Sequence, residues 1–188
     1  MKKERNKMKQ KILVVVDMQN DFVDAALGTK EAVEIVPSVC NKIVNARKEK
    51  TLIFATKDTH SENYMQTREG RFLPVPHCIK GTPGWEFNPN VAAALEDACV
   101  IEKYSFGSLT LPDTICETLQ IKGISPKDAE IELIGLCTDI CVVSNALILK
   151  ARFPETDIWV DASCCAGVTS EKHTAALETM RSCQIEVR

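Results

Sequence analysis

The amino-acid sequence predicts an α/β fold, a three-layer α/β/α sandwich built around a six-stranded, mostly parallel sheet. Two observations carry this prediction. Short runs rich in β-branched residues alternate along the chain with amphipathic stretches of helical period, which is the order expected of parallel strands joined by crossover helices. The runs are also almost continuously apolar, as expected for strands that helices cover on both faces.

Six runs are predicted strands, because each combines apolar and β-branched residues over a strand-like length. They occupy residues 11–17, 51–57, 98–103, 129–136, 156–162 and 184–188. Four stretches between them are predicted helices, at residues 36–50, 112–122, 138–152 and 169–182. In the first of these, the apolar residues fall on one stripe of a helix.

The 188 residues are interpreted as one domain, since a chain of this length buries roughly two thirds of its unfolded surface around one core. Residues 1–10 are predicted to be a solvated tail, and residues 11–188 the single folded domain. The charged start resembles that of a signal peptide, but the apolar stretch from Ile12 to Val16 is too short to continue one.

Charge and cysteine content narrow the class of function. The net charge is -3, and the basic residues beyond the first eleven positions are interleaved with acidic ones, so no nucleic-acid partner is expected. No apolar run reaches the roughly 18 residues of a membrane span, and no membrane partner is expected either. Nine cysteines without an export signal predict a cytoplasmic protein with free thiols. The expected partner is a small molecule.

Residues 58–97 interrupt the alternation of strands and helices. This connection holds four of the eight prolines and three of the eight glycines, which is the composition of a loop. A connection of this length inside a compact domain tends to carry function.

Polar and reactive residues follow four of the predicted strands. Asp17, Asp58 and Lys103 end the first three, and the fourth runs into the segment from Cys137 to Cys141. The carboxyl ends of parallel strands meet at one rim, where open α/β sheets bind ligands. Each residue alone has an ordinary structural explanation, but together they supply a nucleophile, a base and a cation. We therefore predict that Asp17, Lys103 and Cys141 are catalytic.

Cys141 rather than Cys137 is the predicted nucleophile. If a helix starts near Thr138 or Asp139, Cys141 lies in its first turn, where N–H groups and the positive end of the dipole favour a thiolate and an oxyanion. Cys137 then belongs to the preceding turn, with a structural side chain and a backbone N–H that faces the reacting carbonyl. A redox pair is a competing interpretation, although the C-x-x-x-C spacing is one residue longer than the dithiol motif.

A second group of candidate residues lies in the long connection. Asp58 and His60 share a face if the chain is extended, and His77 follows within LPVPHC. One carboxylate and two imidazoles suit a divalent ion, with zinc preferred over iron or manganese, and leave positions for water or substrate. Glu69 or Glu62 is a candidate fourth ligand, and Glu69 is favoured because it precedes His77 in the same loop. The alternative is that the histidines only tie the loop by hydrogen bonds.

Four segments resemble the isochorismatase-like cysteine hydrolase superfamily and, within it, the nicotinamidases. They are VVVDMQNDF at 14–22, KDTH at 57–60 with PHCIKGTPGWEF at 76–87, EKYSFGS at 102–108, and GLCTDICV at 135–142. They are spread over most of the chain in the order of the family. DMQNDF together with TDxCV is specific for the superfamily, and D-x-H with PHC points to its metal-containing amidases.

The resemblance implies the isochorismatase-like hydrolase fold and roles for residues at matching positions. The catalytic triad and the metal ligands that it implies are Asp17, Lys103 and Cys141, and Asp58, His60 and His77. It also implies a non-proline cis peptide between Leu136 and Cys137. The backbone N–H groups of Cys137 and Cys141 would form the oxyanion hole.

The implied activity is hydrolysis of nicotinamide, or of a close analogue such as pyrazinamide, to the acid and ammonia through a cysteine thioester. In nicotinamidases the pyridine nitrogen binds the metal and aromatic side chains flank the ring. Phe22 matches one such position, and Leu136 is also expected to contact the substrate. Many nicotinamidases carry a Trp three residues before the loop histidine, where this chain has Pro74, so Tyr64 and Trp85 are the predicted replacements. Family members often self-associate, which implies a homo-oligomer.

Two other functions stay open from the sequence alone. One is a metal-independent cysteine hydrolase of another small amide or N-carbamoyl compound, and metal content separates it from a nicotinamidase. The other is a non-catalytic module that binds a small ligand on the same scaffold, against which the intact triad argues. Isochorismatase chemistry is less favoured, because cleaving a vinyl ether needs no thiol. A dinucleotide site is disfavoured, because no G-x-G-x-x-G follows the first strand.

Overall fold

The computed structural model of the chain describes residues 9–188 and contains one sheet of six strands. The strands are β1 (Gln10–Val16), β2 (Leu52–Asp58), β3 (Cys99–Lys103), β4 (Ala129–Leu136), β5 (Asp157–Ala166) and β6 (Glu186–Val187). Their order in the sheet is β3-β2-β1-β4-β5-β6, and all five pairings are parallel. The predicted six-stranded α/β architecture is confirmed.

Seven α-helices are present among the described residues. They are α1 (Asn20–Val23), α2 (Lys30–Lys48), α3 (Arg68–Phe72), α4 (Pro89–Leu95), α5 (Thr110–Ile121), α6 (Val143–Arg152) and α7 (Ser170–Ser182). A π-helical turn, Thr138–Val142, leads into α6, and 3-10 turns lie at Tyr64–Gln66, Pro83–Trp85 and Pro126–Asp128. None of the helices within residues 9–188 combines the length and the apolar character needed to cross a bilayer.

The sheet separates two apolar cores, which accounts for strands that are apolar along their whole length. In β1, Val14 packs into a core with residues of α5, α6 and α7, whereas its neighbour Leu13 packs into a core with residues of α2 and α4. Cys165 and Cys164 of β5 divide between the same two cores. These thiols therefore face opposite sides of the sheet, as expected for adjacent residues of a strand.

Helix α2 begins six residues before the predicted start. Thr29 caps it, since its side-chain oxygen accepts a hydrogen bond from the N–H of Ala32 at 3.0 Å. Pro37 lies inside the helix, where its missing N–H removes one backbone bond. Because proline usually stands in a first helical turn, the sequence pattern placed the start near residue 36 instead.

The N-terminal boundary of the domain falls close to its predicted position. Gln10 already belongs to β1, one residue before the predicted strand. The rest of the predicted tail, residues 1–8, lies outside the described residues.

The strand order reverses between β1 and β4. From β1 the chain proceeds outward to β2 and β3, whereas from β4 it proceeds in the other direction to β5 and β6. In open parallel sheets such a switch point creates a crevice at the carboxyl ends of the strands. Asp17 follows β1 and Cys141 lies in the turn after β4, so two of the predicted catalytic residues border this crevice.

Candidate active site

Asp17 is fully buried directly after β1, with a φ of +47°. The hydroxyl of Thr56 donates a hydrogen bond to its Oδ1 at 2.7 Å. Its Oδ2 lies 2.7 Å from Nζ of Lys103 in an ion pair, but lacks hydrogen-bond geometry to any described residue. Burial raises the pKa of the Asp17 carboxyl more than Lys103 lowers it, so the net pKa is above the ordinary aspartate value. This oxygen therefore has a free acceptor site and an increased affinity for a proton.

Lys103, the last residue of β3, connects the predicted triad. Its Nζ lies 2.9 Å from Oδ1 of Asp58 and 3.5 Å from Sγ of Cys141, in addition to its contact with Asp17. Burial lowers the pKa of this ammonium, but the charges of Asp17, Cys141 and Asp58 outweigh burial and raise the pKa well above its usual value. The lysine therefore keeps its positive charge beside the thiol.

Cys141 lies in the π-helical turn rather than in the predicted first turn of an α-helix. Only 4% of it is exposed. Burial is the largest cause that raises the pKa of its thiol, Asp17 raises it further through charge and a hydrogen bond, and Lys103 opposes them. The net pKa lies well above the ordinary cysteine value, so the sulfur rests as a thiol whose proton Asp17 is placed to accept.

Cys137 precedes this turn, and the peptide that joins it to Leu136 is cis, as the resemblance implies. Its carbonyl accepts hydrogen bonds from the N–H groups of Ile140 and Val142 at 3.1 and 3.0 Å. Burial, followed by the charge of Asp139, raises the pKa of the Cys137 thiol to about 12. At neutral pH this thiol is therefore protonated. None of the nine cysteines of the chain, all of which lie within the described residues, forms a disulfide.

The predicted metal ligands converge. Nε2 of His60 lies 3.0 Å from Oδ2 of Asp58, and Nε2 of His77 lies 3.7 Å from the same oxygen. Oε1 of Glu69, which α3 carries, lies 3.6 and 3.8 Å from these two nitrogens. The four donor atoms all lie within 4.8 Å of one another, and Glu62 is not among them.

The donor set fits a divalent ion. Nδ1 of His77 donates a hydrogen bond to the carbonyl of Val75 at 2.8 Å, which leaves the Nε2 lone pair directed at the other donors, the usual arrangement of a metal-binding histidine. Burial raises the pKa of Asp58, but the hydrogen bond to His60 and the charge of Lys103 outweigh it, and the net pKa is lowered. Asp58 is therefore a carboxylate that contacts the triad through Oδ1 and the histidines through Oδ2.

Two of the predicted substrate-binding residues flank the histidines. The Phe22 ring lies 5.5 Å from the His77 ring, and the Tyr64 ring lies 4.8 Å from His60 and 5.0 Å from His77. The Tyr64 hydroxyl donates to the carbonyl of Leu73 at 2.9 Å, which holds the ring in place.

The other two predicted substrate-binding residues, Trp85 and Leu136, make different contacts. The Trp85 ring packs against the Lys57 ammonium, 3.2 Å from its centroid, and its Nε1 donates to Thr59. Among the described residues, Trp85 makes no ring contact with either histidine. Leu136 is buried at the end of β4 in the same core as Phe22.

Gln19, in the DMQNDF segment, is a site residue that sequence reasoning missed. Its buried side-chain amide donates to the carbonyls of Asp58 and Trp85, each at 2.9 Å, and accepts from the N–H of Asp58 at 2.7 Å. It thus bonds to the backbone of Asp58, a predicted metal ligand, through both the N–H and the carbonyl, as a neighbouring strand would. Asp21 acts similarly, since its Oδ2 accepts from the N–H of Cys78, next to His77. The signal in the sequence is a run of polar residues directly after a buried strand.

His173, on α7, is a second residue without a predicted role in the site. Its Nδ1 lies 2.8 Å from the hydroxyl of Thr138, the first residue of the π-helical turn. The adjacent Asp139 accepts a hydrogen bond from the N–H of Val168 at 2.9 Å. The turn that carries Cys141, the predicted nucleophile, is therefore hydrogen-bonded to α7 and to the segment before α7.

Comparison with known proteins assigns this arrangement to a family. The isochorismatase domain matches residues 11–188. The nicotinamidase/pyrazinamidase of Mycobacterium tuberculosis is 26% identical over 186 residues, which cover 93% of this chain and 96% of that protein. Its name describes an amidase.

Solved structures agree with the sequence comparison. A pyrazinamidase of Pyrococcus horikoshii in complex with zinc aligns with a TM-score of 0.79 and 30% identity, over 95% of this chain and 98% of that one. An N-carbamoylsarcosine amidase from Thermoplasma acidophilum aligns with a TM-score of 0.74 and 25% identity, over 95% of each chain. Since the domain match spans nearly the whole sequence, the chain belongs to the isochorismatase family, among its amidohydrolases.

Proposed function

We propose that the protein hydrolyses nicotinamide, or a close analogue such as pyrazinamide, to the carboxylic acid and ammonia. The observation that carries the proposal is the position of Lys103, which contacts both Asp17 and Cys141 and, through Asp58, the four-donor metal cluster. A thiol nucleophile, a base and a ligand set for a divalent ion thus share one buried site. The nicotinamidase and pyrazinamidase relatives support the same substrate class.

In the first half of the reaction, Asp17 accepts the proton of Cys141 while the sulfur attacks the amide carbonyl. The negative charge that develops on the carbonyl oxygen is stabilised by the backbone N–H groups of Cys137 and Cys141. Asp17 then passes its proton to the amide nitrogen, the C–N bond breaks and ammonia leaves. The product of this half is a thioester on Cys141.

In the second half, Asp17 accepts a proton from water, and the resulting nucleophile attacks the thioester carbonyl. The C–S bond breaks, the acid is released, and the proton returns from Asp17 to the sulfur. Throughout, the ammonium of Lys103 keeps its proton and compensates the charge that alternates between carboxylate and sulfur. The raised pKa values of the Asp17 carboxyl, the Lys103 ammonium and the Cys141 thiol support these roles, as do the contacts that join the three groups.

We propose that Asp58, His60, Glu69 and His77 hold one divalent ion, with zinc preferred. When bound, such an ion supplies an electrophilic centre with positions for a ring nitrogen or water. Phe22 and Tyr64 are placed to flank a planar ring beside these ligands, which supports Tyr64 as the replacement for the aromatic residue absent at Pro74.

A second candidate is hydrolysis of an N-carbamoyl compound, which the structural likeness to an N-carbamoylsarcosine amidase supports. The same cysteine chemistry serves both substrates, because each presents a C–N bond to a carbonyl. The two candidates differ in their need for a metal, since only the aromatic amides nicotinamide and pyrazinamide offer a ring nitrogen as a ligand.

Ammonia release from a substrate panel tests the proposal. The panel contains nicotinamide, pyrazinamide and an N-carbamoyl amino acid, each measured with the purified protein, after chelation, and after zinc is restored. We expect release from nicotinamide and pyrazinamide that chelation abolishes and zinc restores. A Cys141→Ala protein gives the background. Turnover of only the N-carbamoyl compound, unaffected by chelation, would establish the second candidate and refute the first.

A further inference from the structure

We propose that Asn145, on α6, is a positioning residue that holds the turn of Cys141 against the segment that follows Lys103. The inference rests on the proposed cysteine hydrolysis, for which these two residues supply the nucleophile and the charge beside it. Asn145 does not contact the reacting atoms. It acts through the backbone on either side of them.

The side chain of Asn145 is fully buried, and both ends of its amide are used. Nδ2 donates to the carbonyl of Cys141 at 2.8 Å and to the carbonyl of Phe106 at 3.3 Å. Oδ1 accepts from the backbone N–H of Ser108 at 2.9 Å. One amide group therefore joins the backbone of the nucleophile to two points of the segment 104–108.

The packing around this amide brings the segment close to α6. A Cβ placed on Gly107 would lie 2.4 Å from Cδ1 of Ile148 and 3.3 Å from Cβ of Ser144, so the backbone of this segment lies directly against α6. The hydroxyl oxygen of Ser108 accepts a hydrogen bond from the N–H of Leu111, in the first turn of α5, at 3.1 Å. The segment is thus fixed on both sides of its bonds to Asn145.

The sheet alone does not fix the distance between Lys103 and Cys141. Lys103 ends β3, an edge strand, whereas Cys141 follows β4, and β2 and β1 lie between these strands. The 3.5 Å contact between Nζ and Sγ therefore joins residues from two strands that are not neighbours in the sheet. Small shifts accumulate across successive strands, so a direct link between the segments after β3 and β4 is needed to hold such a contact.

The backbone groups around residue 145 require two donors and one acceptor, and only an amide side chain of this size supplies both. Asparagine offers two donors and an acceptor on one planar group, and these match two carbonyls and one N–H. Aspartate has the same shape but cannot donate when ionised, and it would place a carboxylate against both carbonyls. Alanine removes every bond.

The test compares Asn145→Ala and Asn145→Asp with Leu149→Ala. Leu149 is buried one helical turn later on α6 and packs in the apolar core, so its truncation destabilises the same helix without touching the link. For each protein, kcat and KM are measured for the amide that the wild type hydrolyses, together with the melting temperature. A misplacement of reacting groups by about 1 Å can cost roughly a hundredfold in rate. We therefore expect kcat to fall about tenfold to a hundredfold in both Asn145 variants, with KM within about twofold.

A second readout does not depend on any substrate. The rate at which iodoacetamide alkylates Cys141 is followed by mass spectrometry as a function of pH, with the exposed Cys99 and Cys183 as references in the same sample. If Lys103 moves away from the sulfur, the pH of half-maximal alkylation should rise by about one unit or more, because a nearby cation lowers a thiol pKa by about that amount. The two reference profiles should not move.

Wild-type kcat and an unshifted Cys141 profile in Asn145→Ala and Asn145→Asp would overturn the inference. So would an equal loss of kcat and an equal shift in Leu149→Ala, since Asn145 would then act only through stability. If the wild type releases ammonia from no amide, the proposed function fails, whereas the alkylation profiles still decide the role of Asn145.

Discussion

At the scale of single residues, the central electrostatic feature is one buried lysine that contacts two carboxylates and a thiol. Nζ of Lys103 lies within 2.9 Å of both Asp17 and Asp58, and 3.5 Å from Cys141. With both carboxylates ionised and the thiol neutral, this group carries one net negative charge in a buried space. Because burial penalises charge, the proton is retained on sulfur until attack begins, and the nucleophile is formed only as it is used.

Replacing Cys141 by serine should remove nearly all activity. The hydroxyl of serine is a far weaker acid than a thiol, and a carboxylate such as Asp17 is too weak a base to activate it. We expect kcat to fall by at least about a thousandfold, with an unchanged melting temperature, in an ammonia-release assay. Cys183→Ser is the matched control, since Cys183 is exposed and should keep full activity. Substantial turnover by Cys141→Ser would contradict a covalent route.

The pH profile should report the raised pKa of Asp17. This residue accepts the thiol proton only when ionised, so kcat/KM should be high above its pKa and decline as the pH falls through it. Burial places that pKa above the ordinary aspartate value, which is about 3.9. Kinetic measurements across the acidic range locate the midpoint.

The Thr56→Val variant provides the control for this profile. The Thr56 hydroxyl donates to Asp17 and lowers the carboxyl pKa, so its loss should move the acid limb to higher pH. A midpoint at or below the ordinary aspartate value, or no shift in Thr56→Val, would remove Asp17 as the base.

At the scale of elements, the critical contact is the pairing of β1 with β4, the strands that border the crevice. Gly135 adopts a φ of +115°, and a Cβ placed on it would lie 2.1 Å from the carbonyl oxygen of Val16. β4 also shifts its register with β5 between Leu133 and Gly135. The glycine thus permits the close approach of β1 and β4. It also permits the register shift that precedes the π-helical turn of Cys141.

Gly135→Ala should destabilise the protein strongly. The variant combines an unfavourable φ with a backbone clash, which together cost at least about 3 kcal/mol. Gly123→Ala is the matched control, since Gly123 has a φ of +66° but no atom within 4 Å of an added Cβ, and should cost about 1–2 kcal/mol. Urea unfolding measures both. Equal losses of unfolding free energy in the two variants would show that the close approach of Gly135 to Val16 adds nothing to the cost of the positive φ.

The long connection between β2 and β3 folds so that the four candidate metal ligands, which lie up to 19 residues apart in sequence, come together. Gln19 and Asp21, from the segment after β1, accept hydrogen bonds from the backbone N–H groups of Asp58 and Cys78, at the start and in the middle of this connection. Glu69 enters the cluster from α3, whose N-cap Thr67 accepts the N–H of Gly70 at 3.0 Å. The ligands are therefore held by backbone bonds as well as by their contacts with one another.

At the scale of the whole molecule, metal binding should raise stability, because a ligand that binds only the folded state adds its binding free energy to folding. At a free zinc concentration a thousandfold above Kd, this amounts to about 4 kcal/mol, or a rise of roughly 8–16 °C in melting temperature for a chain of this size. Thermal unfolding of chelated protein, with and without zinc, measures the effect.

His77→Ala is the control for the metal experiment, since it removes one of the four donors. It should reduce the zinc-dependent rise in melting temperature. A melting temperature that zinc leaves unchanged would favour the alternative in which the histidines only tie the loop by hydrogen bonds.

Self-association remains a prediction from the family resemblance. Four large apolar side chains, Phe72, Tyr104, Leu109 and Ile121, are between 72% and 87% exposed, and exposed apolar surface can mark an interface. Light scattering after size exclusion should give a mass that is a multiple of 20.8 kDa. A mass of one chain at all concentrations would rule out a homo-oligomer.

Much of the fold could be read from the chain, because strand and helix signals are local. Within residues 9–188, the apolar runs and the helical periods located all six strands and four of the seven α-helices. The start of α2 was missed because Pro37 resembles a first-turn proline. The short helices α1, α3 and α4 were missed because they have too few turns to show a period and lie among prolines and glycines.

By itself, the sequence determined the six parallel strands and predicted the reactive groups, because Asp17, Lys103 and Cys141 stand at strand ends that a parallel sheet must bring to one rim. Only the tertiary structure decided the distances among them, the place of Glu69 beside the two histidines, and the hydrogen bonds of Gln19 and Asn145. Those properties depend on backbone groups that are far apart in sequence and carry no local signal. Which polar side chain forms hydrogen bonds with these backbone groups is decided only when the helices pack on the sheet.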